Sequence, residues 1–137
     1  MIDGQYDIKV GPFRRGFHLI TRDVLDGISD WPATGLLHLF LQHTSAGICI
    51  NEAADPDVLH DFEIFFDRLA PENINGLRHT LEGPDDMPAH IKSVLSGYEL
   101  TIPIRNGRLA LGTWQGIYLC EYRNHGGIRH IIATIHS

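Results

Sequence analysis

Apolar and polar residues alternate over Tyr6-Asp7-Ile8-Lys9-Val10, which predicts a strand with one buried face. Gly16-Phe17-His18-Leu19-Ile20 predicts a second strand. Thr21 is then placed to cap a short helix through about Ile28, ahead of the Trp31-Pro32 break. The nearly all-apolar run from Gly35 to His43 suits a central strand, with Gly47-Ile48-Cys49-Ile50 as its neighbour. The clearest helix runs from Asp55 to Leu69. Asp55 is a good N-cap, Pro56 fits the first helical position, and Val58, Leu59, Phe62, Phe65, Phe66 and Leu69 form one apolar stripe.

Residues 71 to 87 read as a loop. A structureless stretch beyond about 12–15 residues in a compact domain usually has a function. A short helix is expected from near Met87-Pro88 to Gly97, with Ile91, Val94 and Leu95 inward and Asp85 or Asp86 as its cap. Leu100 to Arg105, Asn106-Gly107 and Arg108 to Leu111 give a hairpin signal with a type I′ turn, and Pro103 suggests an edge or bulge. Gly116 to Tyr122 and Ile128 to Ile135, joined through Asn124-His125-Gly126-Gly127, read as another hairpin. The order predicts one α+β domain over residues 1–137. Its mostly antiparallel sheets pack face to face, with one long and one or two short helices to one side.

Composition narrows the partners. The chain has 137 residues, enough for a real core, and a formal net charge of −6. Its arginines are scattered, which argues against a nucleic-acid surface but leaves room for a local phosphate pocket. No N-terminal signal pattern or bilayer-length apolar run is present, so a cytoplasmic protein with no membrane partner is expected. Cys49 and Cys120 lie in apolar runs and read as buried thiols rather than a disulfide.

Three polar clusters interrupt this apolar background: Gln42-His43-Thr44-Ser45-Ala46 with Asn51-Glu52, Glu82 to His90, and Gly112-Thr113-Trp114-Gln115. Burying such groups unpaired costs several kcal/mol, so one site assembled from distant segments explains them better than packing. His43, His79 and His90 are candidate metal ligands around an open position, His43 and His90 ahead of His79. The alternative is three separately hydrogen-bonded imidazoles, since no HxxxH or HExxH pair is present. Glu52, Asp57 and Asp86 are candidate acid/base groups or partners that orient imidazoles, against capping and solvation. Thr44 and Ser45 suit phosphate oxygens, against a plain turn. Asn51 belongs to the same polar set. Trp114, read as lying in a strand, could stack on a heterocycle while Gln115 hydrogen-bonds it.

The strings Leu41-Gln42-His43-Thr44-Ser45-Ala46, Asn51-Glu52, Asp85-Asp86-Met87-Pro88-Ala89-His90-Ile91-Lys92 and Gly107 to Ile117 (GRLALGTWQGI) resemble the YjbQ family from about Gly16 onward. The resemblance implies a compact α+β fold that assembles as a homotrimer. It also implies a weak, secondary thiamine-phosphate synthase activity. That transferase joins hydroxymethylpyrimidine diphosphate to thiazole phosphate with release of pyrophosphate. A divalent metal, zinc or magnesium, would stabilise the departing charge. The competing readings are a metal-dependent hydrolase of a small phosphorylated or heterocyclic metabolite, and a non-catalytic small-molecule binding module.

Overall fold

A computed structural model describes residues 3–137. In chain order the elements are β1 (Gly4–Val10), β2 (Gly16–Leu19), α1 (Thr21–Asp26), β3 (Thr34–Leu41), β4 (Ala46–Glu52), α2 (Pro56–Leu69), α3 (Asp86–Ser96), β5 (Glu99–Arg105), β6 (Arg108–Leu109), β7 (Gln115–Glu121) and β8 (Arg129–His136). One sheet has the order β1-β8-β3-β5-β6 and the other β2-β7-β4, every pairing antiparallel. The expected α+β architecture is therefore present. Ile8, Leu37, Leu39, Ile102, Ile131 and Ile135 of the larger sheet share one hydrophobic core with Ile48, Ile117 and Leu119 of the smaller.

Two pairings differ from expectation. β4 pairs with β7 rather than with β3, and β7 and β8 lie in different sheets rather than forming a hairpin. Residues 42–45 and 122–128 are crossovers between sheets. Apolar patterning reports that a strand is buried but not which strand lies beside it. The Asn106-Gly107 turn does form, with φ of 53° and 72°, although β6 ends at Leu109 instead of Leu111. Pro103 turns its carbonyl outward to the Ala110 N–H at 2.8 Å, so its missing N–H faces away from β3.

The helices also adjust the expectation. Asp55 caps α2 through the Asp57 N–H at 2.9 Å, with Pro56 in the first turn. Thr21 begins α1 without capping it, because its hydroxyl accepts the Ile117 N–H at 2.9 Å. α2 and α3 lie over the outer face of the smaller sheet, where Phe17 meets Phe62 and Phe66. The buried residues of α3 include Pro88, Ala89, Lys92 and Ser93. Val94 and Leu95 point outward, Val94 at 84% exposure, against the inward placement expected for them. Buried Lys92 is tolerated because its ammonium meets Asp67 at 2.7 Å. No described helix is long and apolar enough to cross a membrane.

Candidate metal centre

Asp86 opens α3 and is almost fully buried, with 1% of its surface exposed. A carboxylate there survives only if every lone pair has a partner. Arg123, just beyond β7, supplies Nη1 to Asp86 Oδ1 at 2.6 Å and Nε to Asp85 Oδ2 at 2.9 Å. The Asn124 N–H also reaches Asp85 Oδ2 at 2.9 Å, and Arg123 Nη2 reaches the Glu82 carbonyl at 3.0 Å. One guanidinium thus ties the loop before α3 to the end of β7.

The second oxygen of Asp86 faces two imidazoles. His79 Nε2 lies 2.5 Å and His90 Nε2 3.1 Å from Asp86 Oδ2. His90 is one helical turn after Asp86, so a single helix face presents both. The loop residue His79 closes the set, with Glu82 at 3.7 Å. Burial alone would raise the Asp86 pKa. The hydrogen bonds with His79 and Glu82, then the charges of Arg123 and His90, outweigh it and hold the carboxyl below its ordinary value.

The His90 tautomer follows from its other nitrogen. Nδ1 is 2.8 Å from the Thr44 carbonyl, which can only accept, so Nδ1 carries a proton. A neutral His90 then aims the Nε2 lone pair at a carboxylate oxygen. Two lone pairs at 3.1 Å repel unless a proton or a cation lies between them. The three donor atoms of His79, Asp86 and His90 fall within 4.8 Å of one another. Two imidazoles and a carboxylate form a donor set that zinc-type ions take with one position left open. Magnesium prefers oxygen ligands and fits this set poorly. Ligands on one zinc ion stand about 3.3 Å apart, so the Asp86–His90 separation already suits one and the His79–Asp86 separation would open by about 1 Å.

The cluster sits between two hollows. His90 lines a cleft of about 580 Å³ together with His43, Thr44, Gln42, Phe40, Leu41, Val94 and Tyr98. His79 lines a smaller hollow with Met87 and Pro88.

The other sequence candidates stand elsewhere. His43 reaches the cleft but not the cluster. Its Nε2 accepts the His130 N–H at 2.8 Å, and Arg129 Nη1 lies 3.3 Å from Nδ1. Burial, then Arg129 and His130, push its pKa down against the pull of Glu121. With N–H donors facing both ring nitrogens, His43 lines the cleft and stands outside the three-donor cluster. Thr44 and Ser45 contribute carbonyls, to His90 and to Arg129 Nη2 at 3.2 Å, rather than hydroxyls.

Asn51 and Glu52 fold onto their own turn, accepting the Glu52 N–H at 2.7 Å and the Ala54 N–H at 3.0 Å through their side chains. Asp57 lies in the first turn of α2. Trp114 is in a turn rather than a strand and is 63% exposed, while Gln115 Oε1 accepts the Gly112 N–H at 2.8 Å. None of these five residues lines the cleft. Sequence reading passes over Arg123, Asp85 as its partner, and the buried pair Glu121–Arg129. Only the presence of arginines in the final third hints at them.

A family model described as UPF0047 protein YjbQ-like matches residues 6–137. This chain belongs to the YjbQ-like UPF0047 family. The UPF0047 protein YjbQ of Escherichia coli O157:H7 is 54% identical over 123 residues, 88% of each chain. The crystal structure of the conserved hypothetical protein TT1486 from Thermus thermophilus superposes with a TM-score of 0.81 at 37% identity, covering 92% of this chain and 96% of that one. A YbjQ-like protein of unknown function from Sulfolobus solfataricus P2 also gives 0.81, at 27% identity over 98% and 96%. These YjbQ-like relatives carry a family designation, or are described as hypothetical or of unknown function. That overturns the thiamine-phosphate synthase activity expected from the resemblance; the family is shown and the transferase is not.

Proposed function

We propose that His79, Asp86 and His90 hold a zinc-type divalent ion, and that the protein uses it on an oxygen-bearing small molecule entering the adjoining cleft. The observation that carries this reading is the single buried oxygen, Asp86 Oδ2, held between two imidazole nitrogens with the His90 tautomer fixed by Thr44. Bound there, the ion would supply a Lewis acid and acidify a water or polarise a ligand oxygen. Arg123 keeps Asp86 ionised and oriented, and the Thr44 carbonyl aims His90. Phe40, Leu41, Val94 and Tyr98 give the cleft an apolar wall that limits water around a bound molecule.

The same reading takes three copies to associate, as the resemblance implies. It also takes the protein to be cytoplasmic, where neighbouring thiols such as Cys49 and Cys120 stay reduced.

Elemental mass spectrometry on untagged protein, purified without chelators and dialysed against excess zinc, tests the metal centre. Wild type should retain about one equivalent. His90→Ala and Asp86→Asn should lose at least about tenfold in affinity with an unchanged circular dichroism spectrum. Wild type that leaves dialysis without bound metal refutes the reading.

A further inference from the structure

Two thiols share the face of the smaller sheet that lies beneath α3. Cys49 of β4 stands opposite Tyr118, and Cys120 of β7 opposite Gly47, so the cysteines are diagonal neighbours. Their sulfurs are 3.6 Å apart and neither is in a disulfide. Ala89 of α3, Phe17 and Tyr122 pack around them. Cys120 is fully buried, while Cys49 is partly reachable from solvent.

We propose that Cys49 and Cys120 form an oxidisable dithiol that a hydroperoxide closes into a reversible intrachain disulfide. The asymmetry of the pair assigns the roles. The hydrogen bond between the two sulfurs holds the Cys49 thiol below its ordinary pKa. The same contact, with burial, pushes Cys120 well above its own. Exposure points the same way: with Cys120 fully buried, Cys49 is the sulfur a peroxide can reach.

Its thiolate attacks one peroxide oxygen. The O–O bond breaks, the departing oxygen takes a proton, and Cys49 becomes a sulfenic acid. The Cys120 sulfur then attacks the Cys49 sulfur. The S–S bond forms, the S–O bond breaks, and hydroxide leaves with the Cys120 proton as water. Two thiols have lost two electrons and the peroxide has gained them. The Tyr122 hydroxyl is buried with no hydrogen-bond partner among the described residues. It is a donor available to Cys120 as that sulfur loses its proton.

Closure requires the sulfurs to approach by about 1.5 Å. Diagonal neighbours on antiparallel strands stand about 7–8 Å apart, beyond the roughly 4.4–6.8 Å that a disulfide usually spans, so closure has to move the backbone. The bond therefore shears β4 against β7, and the resulting strain makes it easy for a thiol reductant to reopen.

The test treats the full chain with hydrogen peroxide and counts thiols after denaturation, alongside intact mass. Wild type should lose both thiols and two hydrogens of mass without dimerising, and dithiothreitol should restore both. Under the same dose C120S should trap a sulfenic acid on Cys49, captured by dimedone, and C49S should keep its thiol. Retention of both wild-type thiols, a disulfide between chains, or sulfinic acid at Cys49 in place of the disulfide would each overturn the proposal. The wild-type measurements decide it even where a substituted chain folds poorly.

Discussion

At the scale of single residues, the charged groups that organise the site are those hardest to read from sequence. Glu121 has no exposed surface, and both its oxygens accept from Arg129, at 2.8 Å to Nε and 2.5 Å to Nη2. Arg129 also holds the Ser45 carbonyl, so one pair fixes the turn that delivers Thr44 to His90. Removing one partner strands the other charge in the core. Arg129→Met should cost about 3–5 kcal/mol. It should read as a lower urea midpoint at an unchanged slope. The double substitution Glu121→Leu with Arg129→Met should recover part of the loss. A midpoint for Arg129→Met equal to wild type would show that the pair carries no stability. Sequence names His79 and His90, with His43, as candidate ligands and Asp86 as an acid/base group or a partner that orients imidazoles, because each lies among polar neighbours at an element boundary. It does not reveal Arg123 or the Thr44 carbonyl. A long-range ion pair leaves no periodic trace, and a backbone acceptor is the same at every residue.

At the scale of elements, local chemistry is legible and partnership is not. The α2 boundaries follow from Asp55, Pro56 and the apolar stripe, and the β5–β6 turn from Asn-Gly, because each signal acts within a few residues. The pairing of β4 with β7 depends on where the chain crosses between sheets, and apolar runs of similar length offer several answers. The inward face of α3 escapes sequence reading for a related reason. The helix is apolar on two sides, and of its apolar residues the smaller Pro88 and Ala89 are the ones buried, beside Asp86, Lys92 and Ser93. α2 shows how far a local signal reaches into stability. None of its residues is fully buried, so it rests on half-buried Phe62 and Phe66 and on its cap. Asp55→Ala should therefore cost about 1 kcal/mol. That lowers the melting temperature by about 3–4 °C. Amide exchange should accelerate in the first turn of α2. An unshifted melt with unchanged exchange would mean that packing alone sets the start of the helix.

At the scale of the whole molecule, the outward side of α3 is the feature a lone chain leaves unexplained. Val94 and Leu95 are exposed there, Met87 and Ile91 line the same shallow hollow, and Tyr98 and Phe40 meet edge to face nearby at 5.5 Å. Contiguous apolar surface of this kind marks an association site more often than chance exposure. The surface also borders the cleft beside His90, so a neighbouring copy seated on it would wall the cleft as well. Light scattering should give three times the 15.4 kDa chain mass. Val94→Glu places a charge in the middle of that surface and should shift the mass toward the single chain, with the circular dichroism spectrum retained. A wild-type mass of one chain would remove the trimer. A Val94→Glu protein that stays trimeric would move the interface to another face and leave the cleft bounded by one chain alone. Metal retention separates the two questions. The three donors come from one chain, so a monomeric Val94→Glu protein should still hold its ion even where the cleft has lost its outer wall.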